Sequence, residues 1–192
     1  MPFGPWPGGG GGAGFPVSGS LLTSRMFYAD QLGIPTAGHP ITALAPSDLD
    51  ILYPDLSIAA YAEETQQGRT FKDRSPDAGQ YVLDASSLVI EIVAKAASTP
   101  PGPEVIQWGL YYRNISDDAA LPAWTGITLA DMPITDDDLH YFGQTLVIGG
   151  GGGEINITPG SHVEFELVRE MSEGANLTGN ANLYSVSLFW HA

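Results

Sequence analysis

Cysteine is absent from this 192-residue chain. Neither a disulfide framework nor a thiolate zinc site can form without it. Basic residues are scarce: 7 Lys and Arg stand against 22 Asp and Glu, a formal net charge of −15. Phosphate backbones are gripped by clustered Lys and Arg, so this balance argues against nucleic acid as a partner. It argues equally against an anionic membrane surface. No apolar run approaches the roughly 20 residues needed to span a bilayer. The first residues carry no basic stretch followed by an apolar one, so no secretory signal is read there, and the sequons at Asn114, Asn156 and Asn176 are expected to stay unmodified. The acidity itself provides solubility and suits a protein displayed on a particle or in salty water.

Apolar residues make up 43% of the chain, enough to bury a core. The length suits one domain of ordinary size with extra segments. Two regions differ in texture. Residues 1–53 read as an extended N-terminal arm followed by an irregular segment, and residues 54–192 as a β-sandwich domain. Within the arm, "MPFGPWPGGGGGAGFPVSGS" is nearly all Gly, Pro, Ser and aromatics, a composition that cannot pack a core. Phe3, Trp6 and Phe15 are large for a linker. Spaced along slack chain, they are candidate anchors for pockets on a neighbouring protein. Prolines at 35, 40, 46 and 54 break up the next segment. There "SRMFYADQLG" reads as a short helical turn ended by Gly33, and "SDLDILY" as a short helix capped by Ser47.

From residue 57 the pattern becomes that of strands. "SIAAYAEE" alternates through Ile58, Ala60 and Ala62. "SSLVIEIVAKA" places Leu88, Ile90, Ile92 and Ala94 on one face and a half-exposed set, Val89, Glu91, Val93 and Lys95, on the other. "VIQWGLYYRN" aligns Ile106, Trp108, Leu110 and Tyr112. "QTLVIG" and "EINIT" flank a run of glycines. "SHVEFELVRE" aligns Val163, Phe165 and Leu167 with Glu164 and Glu166 outward, and "ANLYSVSLFWHA" aligns Tyr184, Val186, Leu188 and Trp190. Short segments rich in β-branched and aromatic residues, bounded by turn formers, predict an all-β, antiparallel, jelly-roll-like sandwich. The connections 98–103 and 116–138 are long for a simple meander, which favours a Greek-key arrangement.

Candidate chemistry is sparse. The glycines at 149–153 are followed by Glu154 and an alternating segment. A phosphate loop needs Lys and Ser or Thr opening a helix, so this run is read as a loop between strands. Glu164 and Glu166 share a face about 7 Å apart, the spacing of a glycosidase acid pair, but a solvated strand face reads the same way, and Arg113 and Arg169 are available to pair with them. Asp117, Asp118, Asp131 and Asp136 to Asp138 fall in loops. They offer oxygen ligands of the kind that hold Ca²⁺, without EF-hand spacing, and aspartates in loops more commonly close turns. His39, His140, His162 and His191 lack metal-ligand spacing. No Gly-x-Ser-x-Gly motif or hydrolytic triad is present. No enzyme activity, cofactor or metal is therefore expected. Trp108 and Tyr112 fall on the core face of their strand. Trp124 and Tyr141 lie in loops or at strand edges and are the candidate ligand surface.

In the C-terminal half, "IQWGLYYRNISDD" leads to "LPAWTGITLADMPIT", then to "PGSHVEFELVRE" and "LTGNANLYSVSLFWHA". Over residues 80–192 this texture resembles the small jelly-roll accessory proteins of tailed bacteriophage virions, of the capsid decoration or cement type. The resemblance implies a non-enzymatic viral structural protein on the capsid surface. It further implies a homotrimer that stabilises the head by contact with the major capsid protein or another virion protein, its arm gripping the shell or a neighbouring protomer. The alternative is a carbohydrate-binding or host-adhesion module of a phage fibre or tail.

Overall fold

The computed structural model describes residues 20–28, 31–33, 55–56, 67–77, 86–96, 98–115, 120–149, 155–170, 176–177 and 181–192. Among them there is no α-helix. The strands are β1 (Leu21–Tyr28), β2 (Asp55–Leu56), β3 (Gln67–Arg74), β4 (Ser87–Ala96), β5 (Glu104–Ile115), β6 (Thr125–Thr128), β7 (Met132–Ile134), β8 (His140–Val147), β9 (His162–Glu170) and β10 (Ala181–His191). One sheet runs β1-β10-β4-β8 with β2 on β10, and the other runs β3-β9-β5-β6 with β7 on β5. All of these strand pairs are antiparallel. The chain passes back and forth between the sheets, and each sheet interleaves early strands with late ones. This is the double Greek key of a jelly roll, so the all-β sandwich expected from the alternation is the fold.

The two-residue period decides what is buried. Leu88, Ile90, Ile92 and Ala94 of β4 face Ile106, Trp108, Leu110 and Tyr112 of β5 and Val163, Phe165 and Leu167 of β9 across a single core. An aromatic series ties the sheets together: Phe27 of β1 lies 4.9 Å from Phe71 of β3, Phe71 stacks on Phe165 at 5.3 Å, and Phe165 meets Trp190 of β10 at 6.5 Å. Asp73 of β3 reinforces this join. Its carboxylate accepts the Trp190 indole N–H at 3.0 Å and the Arg74 backbone N–H at 2.8 Å, and it pairs with Arg25 of β1 at 3.5 Å.

Several expectations need correction. The "SRMFYADQLG" stretch is a helical turn only in part: its first half belongs to β1, which pairs along β10 from Leu21 to Tyr28, while Gln31, two residues before Gly33, is in 3₁₀ conformation. Residues 21–28 thus belong to the sandwich rather than to an irregular segment preceding residue 54. The pairing with β10 and the burial of Phe27 against Phe71 outweigh a weak local pattern. The presumed long connection 116–138 contains β6 and β7, which lie one after the other along β5 with Leu129 donating its N–H to Trp108 between them. Pro133 is tolerated there because β7 is a sheet edge.

"EINIT" does not form a strand. Ile155 makes only a bridge to Ile148, and residues 156–158 are held by side chains instead. Asn114 of β5 donates Nδ2–H to the Asn156 carbonyl at 3.0 Å and accepts the Thr158 N–H at 3.0 Å, while the Tyr112 hydroxyl accepts the Asn156 N–H at 2.8 Å. One amide side chain thus replaces a neighbouring strand, and Ile155 and Ile157 still point into the core. The glycine run begins at Gly149, beside the Ile148–Ile155 bridge that closes its loop; the rest of the run lies outside the described residues. So do "SDLDILY", "SIAAYAEE" and the arm with Phe3, Trp6 and Phe15.

Candidate functional site

Each sheet turns one face outward, and the two faces differ. On the β3-β9-β5-β6 sheet the row of carboxylates comes first. Glu164 sits between Lys72 of β3 and Arg113 of β5 in the ladder register. Arg113 donates to Glu164 Oε2 through Nε at 2.8 Å and Nη2 at 2.5 Å, and Lys72 approaches Oε1 at 3.6 Å. The Arg113 guanidinium lies 4.3 Å over the ring of Trp124, a cation–π contact. Glu166 lies over Gly68, where a Cβ would collide with its carboxylate. Glu170 accepts from the Tyr111 hydroxyl at 2.7 Å and from Thr128 at 3.0 Å. Gly126 admits the Tyr111 ring, which a Cβ there would strike.

This arrangement corrects the reading of Glu164 and Glu166 as a solvated pair. Both are buried, Glu166 completely. The cause is their position on β9, a central strand whose neighbours β3 and β5 crowd them from both sides. Glu164 is held by two cations, so its charge is committed to cross-strand cohesion. Arg169, the other candidate partner, alternates to the opposite side of β9 and donates to the Leu177 carbonyl.

The described loop aspartates close a turn or tie loops to distant side chains. Asp136 accepts the Asp138 N–H at 3.0 Å, bonds Thr135 at 3.2 Å and pairs with His140 at 3.0 Å. The Asp138 N–H, with help from Thr135 and His140, holds its carboxyl below the ordinary aspartate range. Asp137 accepts from Thr99 at 2.9 Å and Asp131 from Gln107 at 3.1 Å. Among the described residues no three of His, Asp and Glu gather as metal ligands would. Asp117, Asp118 and His39 lie outside the described residues.

The outer face of the β1-β10-β4-β8 sheet is of another kind. In the ladder register Tyr28, Ser185, Val93 and Tyr141 form one row across four strands, and Met26, Ser187, Glu91 and Gly143 form the next. The rim is apolar and exposed: Tyr141 is 64%, Tyr28 51%, Met26 49% and Val147 44% accessible. Of the seven exposed large hydrophobics among the described residues, these four and Leu21 lie on β1 and β8, the two edges of this sheet. They form two edge strips, with β10 and β4 between them, where Val89, Val93, Ser185 and Ser187 are buried; single exposed apolar residues are ordinary, and adjacent ones such as Met26 and Tyr28 are what mark a contact strip. Trp124 and Tyr141, taken together as a ligand surface, lie on the outer faces of opposite sheets. No single platform holds both.

Glu91 stands in the middle of the apolar face, and burial raises its carboxyl above the ordinary glutamate value. A raised value means that the folded chain prefers the protonated form more than the unfolded chain does. Glu91 therefore favours folding most at acid pH, and this contribution falls away as pH rises from 4.5 through the raised value. Glu91→Gln should gain stability relative to the parent over that rise, read from urea midpoints at a series of pH values. A constant difference between the two proteins across the series would contradict it.

Sequence reading missed this face. Of the side of β4 read as half exposed, Glu91 and Lys95 are half-buried as expected, whereas Val89 and Val93 are buried. The contributions of Met26 and Tyr28 were not legible, because β1 was not recognised as a strand. The signal available was "MFY", three strand-favouring residues in a row.

No family model matches this chain, and neither does any curated protein. Solved structures with a similar course include the enzymatically active domain of bacteriophage CBA120 tailspike protein 4, at 11% identity and a TM-score of 0.38, covering 87% of this chain and 19% of that one. A chain of infectious bursal disease virus, Gt strain, is 16% identical with a TM-score of 0.40, covering 96% of this chain and 37% of that one. The chain thus spans between a fifth and two fifths of the lengths of these two viral chains. The xylan-binding CBM22-1 domain from Paenibacillus barcinonensis is 12% identical with a TM-score of 0.35, covering 91% of this chain and 96% of that one.

Proposed function

We propose that this chain is a structural protein of a virion, of the decoration or cement type, working by protein–protein contact rather than catalysis. The observation that carries the reading is the apolar, exposed rim of the β1-β10-β4-β8 face on a chain with a net charge of −15. A soluble, strongly acidic protein keeps such a surface for a partner. Of the two glutamates that would suggest a glycosidase, Glu164 is held by Arg113 and Lys72 and Glu166 is fully buried. Jelly rolls serve both viral shells and lectins, so topology leaves the choice to the surface. The rim of this sheet supplies the oligomeric contact. The arm, with Phe3, Trp6 and Phe15, holds the major capsid protein or another virion protein. The alternative, a carbohydrate-binding module, keeps Tyr141 as its aromatic contact without Trp124.

The test is binding of the purified chain to particles assembled without it. Full-length protein should co-sediment at saturable occupancy, and a chain lacking Met1 to Ser20 should lose at least tenfold in affinity. Full-length protein that stays in the supernatant would refute the virion role, and unchanged occupancy of the truncated chain would refute the arm.

A further inference from the structure

The two edges of the β1-β10-β4-β8 sheet are open in a way that those of the other sheet are not. Among the described residues β1 has β10 as its only strand neighbour, and β8 has β4. An edge strand offers unpaired N–H and C=O groups to other chains, and charges or proline normally blunt it. β3, an edge of the second sheet, carries Arg69, Lys72, Asp73 and Arg74, and β7, on the other border of that sheet, carries Pro133. By contrast β1, "LLTSRMFY", and β8, "HYFGQTLV", hold no lysine and no proline. Their exposed side chains include Leu21, Met26, Tyr28, Tyr141 and Val147. We propose that these two edges fit each other: β8 of one copy pairs antiparallel with β1 of the next, head to tail, so that the sheet runs on from copy to copy. The inference rests on the reading of the rim as a protein contact and names its occupant, a second copy of this chain.

Three observations argue for this pairing. The first is direction and phase. β1 and β4 run one way, β10 and β8 the other, so β8 beside the next β1 continues the alternation with the same face outward. The Tyr28 N–H donates to the exposed Gln31 side chain at 3.1 Å, which turns it from β10 to the open side of β1. Bonding direction alternates along a row. Through Ser185 and Val93 it therefore turns the backbone of Tyr141 outward as well, and the two tyrosines can meet as a bonded pair once Gln31 swings aside. The second is register. Set side by side without stagger, Tyr141 meets Tyr28, Gly143 meets Met26 and Val147 meets Leu21, as their shared rows within one chain dictate. Exposed apolar residues then cover one another at both ends, and Gly143 leaves room for Met26. A slip of one residue would set outward side chains against inward ones. The third is charge. Four of the seven basic residues, Arg25, Arg69, Lys72 and Arg74, lie on β1 and β3, which adjoin at Arg25 and Asp73. The exposed Asp131, Asp137 and Asp138 lie on the opposite border, beside β7 and β8. Pairing β1 with β1, or β8 with β8, brings like borders together, whereas β8 on β1 brings unlike ones. A contact of this kind closes a ring or builds a filament rather than a two-fold dimer.

The experiment combines disulfide trapping with sedimentation of the full chain. The chain has no cysteine of its own. Residues directly opposite in a bonded antiparallel pair have Cα atoms about 5.5 Å apart, within the reach of a disulfide. A mixture of Tyr28→Cys and Tyr141→Cys chains should therefore link on oxidation, while neither variant links to itself. Tyr28→Cys mixed with Val147→Cys, out of register, should stay unlinked. In sedimentation the parent should be larger than a dimer at micromolar concentration. Met26→Lys on β1 and Tyr141→Lys on β8, both at exposed positions, should each weaken self-association at least tenfold. Mixed together they should form a dimer and nothing larger, because one sound β8 and one sound β1 remain. That dimer also shows that both variants fold. A monomeric parent overturns the proposal. So does a cysteine variant that links to itself as readily as the mixture, linking through Val147→Cys, or a lysine variant that associates as tightly as the parent. A monomeric parent that still loads onto particles refutes the edge pairing alone. Chains that link as expected and ignore particles refute the virion role alone.

Discussion

Trp190→Ala should lower the stability of the sandwich by about 3–5 kcal/mol, the range for removing a fully buried large aromatic. Trp190 is completely buried on β10, the strand between β1 and β4, and its ring packs 6.5 Å from Phe165 of the opposite sheet. The substitution opens a cavity where the sheets meet and removes the indole N–H from Asp73. Asp73 keeps Arg25 and the Arg74 N–H, so its charge is not abandoned. Trp190→Phe separates the two effects. It keeps a six-membered ring in the core, loses the hydrogen bond and leaves a smaller cavity than alanine does, for an expected cost of about 1–3 kcal/mol. Urea denaturation followed by fluorescence of the remaining tryptophans measures both. Equal losses for Ala and Phe would mean that the Asp73 bond, not packing, dominates.

Arg113→Met should cost about 2–4 kcal/mol, and Arg113→Met with Glu164→Met should recover much of it. Arg113 and Glu164 have side chains only 16% and 12% accessible, so loss of the arginine leaves a largely buried carboxylate with Lys72 at 3.6 Å as its remaining cation. Breaking one side of such a pair is expensive, whereas replacing both sides with apolar groups of similar shape is far less so. The single variant also removes the cation from the Trp124 ring, so a red shift of tryptophan emission should accompany the loss. A double variant as unstable as the single one would show that packing of the guanidinium on Trp124, not the ion pair, holds this face.

The legible part of the fold is the part with regular alternation. In β4, β5 and β9 the apolar residues recur every second position over five or more residues, so strand and core face could both be read; in β10 a bulge between Leu183 and Ser185 breaks the period, and Leu183 rather than Tyr184 joins Val186, Leu188 and Trp190 in the core. β3 offers only Phe71 as a large apolar residue in "QGRTFKDR". It is a strand because β9 pairs with it, and local sequence carries no trace of that pairing. "EINIT" shows the opposite failure: it alternates as a strand does, but beyond the single bridge at Ile155 its backbone is bonded by the side chains of Asn114 and Tyr112. For Glu164 and Glu166 the common face was legible and its burial was not, because burial depends on which strands flank β9. The core positions of Trp108 and Tyr112 followed from period alone.

The strand order also governs how the domain assembles in time. β1 and β4 are not neighbours; both are stitched to β10, the last strand of the domain. Until residues near 181–191 arrive, half of the sandwich has no centre, and the earlier strands hold unpaired edges open to other chains. Pairing elements so far apart along the chain folds slowly, on the order of milliseconds to seconds. The nascent domain is therefore most vulnerable to aggregation in the interval before its final strand inserts, and the acidity that keeps chains apart acts first as protection during synthesis.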